Sequence, residues 1–177
     1  MKTDGIVAVR TVFVIGTSHE YQVIRRAVSD PAREQFRMFL TSVAIEKAAQ
    51  AIAEEMSVDA LTVHGADESV GKQVAVALQI AHRYCDPAIE ERKALGVVED
   101  DDIRMSGFFN NRNPQEVEAA INASFAIREG RWLDHLLELN GWPVLFVCGA
   151  NHAERFRERL EDNGITAYVL LTKWGPD

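Results

Sequence analysis

The chain has 177 residues, 47% hydrophobic and 26% charged, with a formal net charge of -8; this balance suits one globular domain, and the acidity disfavours nucleic acid as a partner because such surfaces usually carry a basic patch. Two cysteines, Cys85 and Cys148, exclude a disulfide scaffold, and no uncharged stretch reaches the ~18 residues needed to cross a membrane. The amino terminus, broken by Asp4 and Arg10, lacks the apolar core of a secretory signal, so the cytoplasm is the expected compartment.

The first element is an apolar run from Thr11 to Gly16, a buried strand that stops at glycine with His19 three residues later. Ser29-Asp30-Pro31 then offers an N-cap followed by proline, and Phe36, Phe39, Leu40, Val43 and Ala44 recur at helical spacing. The stretch from Gln50 to Ser57 reads either as the last turns of that helix or as a short second strand with Glu54 and Glu55 at its end. Residues 67–78 are expected to be helical, with Val70, Val74, Ala77 and Leu78 on one face, and the apolar run from Ala77 to Tyr84 to be a strand ending at Cys85-Asp86-Pro87.

Ile89 to Leu95 gives a helix with Gly96 as its stop. The polar stretch 99–113, with its run of acidic residues, Gly107 and three asparagines, reads as an irregular loop, either solvated or acting as a lid. A long helix follows from Pro114 to about Leu139 on a broad apolar stripe, with Gly130 as a place to bend or split it. The strand Val144 to Cys148, the helix Ala153 to Asn163 stopped by Gly164, and the strand Ile165 to Thr172 complete the chain. Strands alternating with helices predict a single three-layer α/β domain over 1–177, with a mainly parallel sheet of about five strands covered by helices on both faces.

The last of these helices is preceded by Gly149-Ala150-Asn151-His152, the same Gly-x-x-His ending that follows the first strand. If both strands are parallel in one sheet, both imidazoles reach its carboxyl edge, where open α/β sheets bind ligands. Two histidines with one carboxylate can hold a divalent cation, such as Mn, Fe, Co or Zn, and leave a position for water. The metal set is then His19 and His152 with Glu54 or Asp86, and Glu54 or Glu55 also serves as general base. Each residue has a plainer reading: a turn histidine, a solvated helix face for the glutamates, or an N-cap for Asp86.

Arg128 and Arg131, three residues apart, can clamp a substrate carboxylate or phosphate, or simply pair with Glu129 and Glu91. Asn151 can donate to a developing oxyanion, or merely complete a turn. His64, His82 and His135 have no motif around them, and His82 reads as a satisfied core histidine. No dinucleotide, phosphate-loop or nucleophile-elbow motif is present. Cys148 could act with His152 as a nucleophile, but an apolar strand end favours an inert thiol.

This set resembles the superfamily that joins the TraB and Tiki proteins, the ChaN haem-uptake lipoproteins and the erythromycin esterases. The resemblance rests on Gly16 to His19, Glu54 or Glu55, the segment Arg128 to Trp132, and Gly149 to His152. It implies an α/β fold and, for the Tiki branch, divalent-metal-dependent peptide hydrolysis. The chain is shorter than typical members, and its arginine segment matches loosely. The leading expectation is a metal-assisted hydrolase acting on a small-molecule or peptide substrate. The alternatives are a non-catalytic module binding a small ligand, haem or nucleotide, and an acidic protein-interaction domain.

Overall fold

The computed structural model describes residues 9–24, 30–63, 65–66 and 68–176. Strand β1 (Thr11–Thr17) leads into the one-turn helix α1 (His19–Gln22), the short β2 (Val23–Ile24) and helix α2 (Pro31–Glu46). Then come β3 (Ala51–Glu54), α3 (Val58–Val63), β4 (Glu68–Ser69), α4 (Val70–Leu78) and β5 (Ala81–Tyr84). Three successive helices, α5 (Ile89–Leu95), α6 (Asp100–Phe109) and α7 (Pro114–Leu137), precede β6 (Val144–Gly149). A 3-10 turn (Ala150–His152), α8 (Ala153–Asp162) and β7 (Thr166–Trp174) close the chain.

The five long strands form one sheet in the order β5-β3-β6-β1-β7, with every pairing parallel, while β2 and β4 pair antiparallel apart from it. Period-two alternation divides the strand residues between two cores. Val12, Val14, Ala51, Ala53, Val144 and Phe146 pack with Trp132 and Leu136 of α7 and Phe156 and Leu160 of α8. Ile15, Ile52, Leu145 and Val147 pack on the other face with Phe36 and Leu40 of α2 and Val70 and Val74 of α4. This is the expected three-layer α/β architecture with a five-stranded parallel sheet. No described helix is long and apolar enough to cross a membrane.

Local chemistry explains the boundaries. Asp30 caps α2 by accepting from the Ala32 N–H, with Pro31 at the first helical position; Ser29, the neighbouring candidate, lies outside the described residues. The stretch after α2 is strand β3, so Glu54 and Glu55 stand at a strand end. Ser69 caps α4 by accepting from the Lys72 N–H, and the helix runs to Leu78 before Gln79 turns left-handed at φ 56°. The apolar run expected as a strand from Ala77 therefore begins as helix, and β5 starts at Ala81. Asp67 and His64 lie outside the described residues.

The irregular loop expected at 99–113 is mostly helix α6. Its first turn carries Asp100, Asp101 and Asp102, whose negative charges suit a helix amino terminus. Its inner face, Ile103 and Gly107, packs on α7 with Ile121 and Phe125 nearby. A Cβ at Gly107 would stand 2.5 Å from Cγ2 of Val117, so only glycine allows this approach. Helix α7 begins with a capping box between Asn113 and Glu116 and continues through Gly130 as one helix.

Candidate functional site

Strands β1 and β6 are neighbours, with Thr17 in register with Gly149, so the two Gly-x-x-His turns emerge side by side at the carboxyl edge of the sheet. The chain runs outward from β1 to β3 and β5 and returns to insert β6 between β3 and β1. Such a switch point opens a crevice.

Glu55, just past β3, lies between the two turns. Its Oε1 accepts from Nη2 of Arg128 at 2.8 Å, and its Oε2 accepts from the Gly149 N–H at 2.6 Å. Nε2 of His19 is 3.8 Å from Oε2, and Nε2 of His152 is 3.5 Å from Oε1. A Cβ at Gly149 would lie 3.2 Å from Glu55 Oε2 and 3.3 Å from His19 Nε2, so the glycine of the second turn leaves room for these groups to meet.

The histidines have different settings. His19 opens α1 and is half-exposed, whereas His152 is buried between the rings of Phe125 and Trp132, with centroids 4.2 and 4.9 Å away. Nδ1 of His152 stands 2.8 Å from Oε1 of Glu129, which also accepts from Nε of Arg155 at 3.2 Å. An ionised carboxylate only accepts, so the bond to Glu129 assigns a proton to Nδ1 and leaves Nε2 facing the cavity and Glu55.

Arg128 is fixed from behind. Asp86 accepts from its Nε at 3.0 Å and its Nη2 at 3.1 Å, and also from the Trp132 indole at 2.8 Å and from Arg92. Burial pushes the Glu55 carboxyl up, but the facing His19 imidazole and the charge of Arg128 outweigh it and hold Glu55 well below the ordinary carboxylate range. The same carboxylate raises His19 against the lowering effect of its own burial.

The structure thus brings His19, Glu55, Arg128 and His152 around one cavity of about 500 Å³, with Asn151 and Phe125 also in its lining. Glu54 is not among them. Alternation turns it to the opposite face, where its buried carboxylate accepts from Ser69 Oγ and stands 2.7 Å from Nε2 of His82. Asp86 does not join the histidines as a ligand; its oxygens are taken by Arg128, Arg92 and Trp132. Arg131 pairs with Glu91 and Asp134 outside the cavity. His135 bonds the Cys85 carbonyl at 2.7 Å. Burial raises the Cys148 thiol far above its usual range, which removes a thiolate from consideration.

Sequence reasoning did not assign Glu129 a part in this site, reading it only as a partner for arginine. The available signal was helical spacing: Phe125, Arg128, Glu129 and Trp132 fall at i, i+3, i+4 and i+7, which sets this carboxylate on the inward face of α7.

The donor set bears on a divalent metal in two ways. The 3.5 and 3.8 Å separations of the imidazole nitrogens from Glu55 are near the roughly 3.4 Å between neighbouring ligands of a tetrahedral ion. Both Glu55 oxygens, however, already accept from Arg128 and Gly149. Among the described residues no group of three or more His, Cys, Asp or Glu side chains has metal-holding spacing. Each carboxylate oxygen keeps a further lone pair, so an ion between the two histidines would share Glu55 with Arg128 and Gly149. Comparison of the chain with family models, curated proteins and solved structures finds no match.

Proposed function

We propose that the chain is a hydrolase that activates water at His152. The observation that carries this reading is the buried Glu129–His152 pair, which presents Nε2 to a cavity shared with His19, Glu55 and Arg128. Water in the cavity gives a proton to Nε2 as its oxygen attacks an acyl carbon, and Glu129 stabilises the imidazolium formed. His19, whose protonated form Glu55 favours, then donates to the leaving amine or alkoxide as the carbon–heteroatom bond breaks. The proton on His152 returns to solvent, and His19 is reprotonated. Arg128 supplies positive potential to the oxyanion, and Asn151 is placed to add a donor.

The substrate class is an ester or amide of small-molecule or peptide size, and the compartment is the cytoplasm. The Gly-x-x-His turns, Glu55 and Arg128 are also the features behind the likeness to the TraB, Tiki, ChaN and erythromycin esterase superfamily, which belongs to this proposal. A second reading places Mn, Fe, Co or Zn on His19, His152 and Glu55, supported by their spacing.

The test is a panel of chromogenic esters and anilides with wild type, His152→Ala and Glu129→Gln. Activity is expected to fall about 10³-fold in His152→Ala and about 10²-fold in Glu129→Gln, with far-UV circular dichroism unchanged. Full activity in folded His152→Ala would reject the reading. Elemental mass spectrometry on wild type and on the His19→Ala, His152→Ala double variant separates the two forms: stoichiometric metal lost in the variant favours the metal site. A binding module without chemistry would show no turnover in wild type.

A further inference from the structure

We propose that the alcohol or amine released by the reaction carries a short aliphatic chain, held in a second cavity that opens beside His19. The inference deepens the hydrolase reading above and rests on it.

This second cavity, of about 390 Å³, adjoins the one already described, and His19, Glu55, Glu99 and Arg128 line both. The histidines divide the two spaces. His152 reaches only the first, whereas His19 borders both. A substrate with its acyl carbon beside His152 and its leaving heteroatom at His19 therefore extends the rest of its leaving group into the second cavity.

The two cavities offer different surfaces. Thr17, Ser18, Asn151 and Lys173 contribute polar groups to the first, whereas Val23, Met56 and Ala60 give the second an apolar wall drawn from β2, the segment after β3, and α3. Val23 and Met56 are almost fully buried in a small core with Leu61 and Ala66, so packing fixes the shape of this wall.

The charged groups around the wall are engaged with one another. Arg92 donates from Nε to the Pro87 carbonyl at 3.1 Å, from Nη1 to Glu99 at 2.6 Å, and from Nη2 to Asp86. Asp86 and Glu55 share Arg128, and Glu20, the remaining carboxylate, is exposed to solvent. A charged leaving group would have to compete with these pairs. An aliphatic chain needs no partner and gains about fourfold in binding for each methylene buried. The plainer account is a solvated gap beside ion pairs, for which chain length would not matter.

The experiment compares ethyl acetate with n-hexyl acetate on the full chain, following acid release in a pH-stat. The longer alkyl group is expected to raise kcat/KM about 10²-fold in wild type. Ala60→Phe, which fills the cavity, should reduce that preference to within about threefold. Binding is read separately from the methyl NMR signals of isotopically labelled methionine: 1-hexanol is expected to shift Met56, assigned with Met56→Leu, and ethanol at the same concentration is not. Equal kcat/KM for the two esters in wild type, no Met56 shift with 1-hexanol, or a preference that survives in folded Ala60→Phe overturns the inference. Should Ala60→Phe fail to fold, the two wild-type measurements decide. Hexanol binding at Met56 with neither ester hydrolysed overturns the hydrolase reading and leaves an apolar ligand pocket. Hydrolysis of both esters with equal efficiency and no Met56 shift supports the hydrolase and overturns the aliphatic selection.

Discussion

Adjacent residues in this chain have opposite fates. Glu54 shares a sheet face with Ile52 and ends among Ser69 and His82, whereas Glu55 follows Ala51 and Ala53 and meets the residues of α7. The buried Glu55–Arg128 pair gives a prediction about pH. The folded Glu55 carboxyl is depressed from 4.5, so its stabilisation is present above that pH and is lost as pH falls through the folded value. His19 is raised from 6.5, so its contribution is complete below that pH and fades as pH rises through its folded value. Glu55→Gln removes one of the two carboxylates paired with Arg128, leaving Asp86, and is expected to cost about 2 kcal/mol near neutrality. The difference from wild type should begin to shrink below about pH 4, as the unfolded carboxyl takes up a proton while the folded one stays ionised. Urea unfolding across the acid range checks this, and a difference constant with pH would show that the carboxylate charge is irrelevant.

At the scale of elements, close approaches of backbone decide which glycines matter. A Cβ on Gly16 of β1 would collide with the Thr172 carbonyl of β7 and lie 3.2 Å from Cα of Ala150. Gly16→Ala must push β7 or the second Gly-x-x-His turn aside, with an expected cost of about 3 kcal/mol. Gly130 differs: it sits within α7, and a Cβ there meets only Nη1 of Arg159, at 3.4 Å. Gly130→Ala should raise stability by about 0.5 kcal/mol by reducing the freedom of the unfolded chain. Thermal unfolding of both variants is the check, and a stabilised Gly16→Ala would contradict the packing described. The α6 segment shows the limit of reading elements locally. Its acidic start and asparagines resemble a loop, yet acidic residues in a first turn are also a helix signal, and Ile103 gains its purpose only from α7.

For the whole molecule, neighbouring residues of β6 feed cores on opposite faces of the sheet. Leu145 packs toward α2 and α4, and Phe146 toward α7 and α8. Because the central strands are shared, Leu145→Ala and Phe146→Ala are each expected to cost about 3 kcal/mol. Both should shift one cooperative transition, followed equally by tryptophan fluorescence and far-UV circular dichroism. Separate transitions from the two probes would show that the faces unfold independently.

Periodicity carried the architecture, because strands buried on both faces must be continuously apolar and amphipathic helices must repeat at helical spacing; β1, α2, α7, β6 and α8 were legible for that reason. The paired Gly-x-x-His turns were legible as a repeated pattern at two strand ends, and a parallel sheet sets such ends on one edge. The choice between Glu54 and Glu55 was not legible, since it depends on which sheet face α7 covers, and that follows from packing distant segments together. The same holds for Asp86, whose local setting suits a site but whose partner Arg128 lies 42 residues along the chain, whereas the pairing of Arg131 with Glu91 was already one of the two readings of that arginine. Glu129 gained its contact with His152 in the same way, because 23 residues of chain separate the two side chains. Sequence by itself determined the elements and the edge where the histidines emerge, through local propensity and burial. Tertiary structure alone decided which carboxylates and cations meet them, since a side chain's electrostatic partners are set by distance in space.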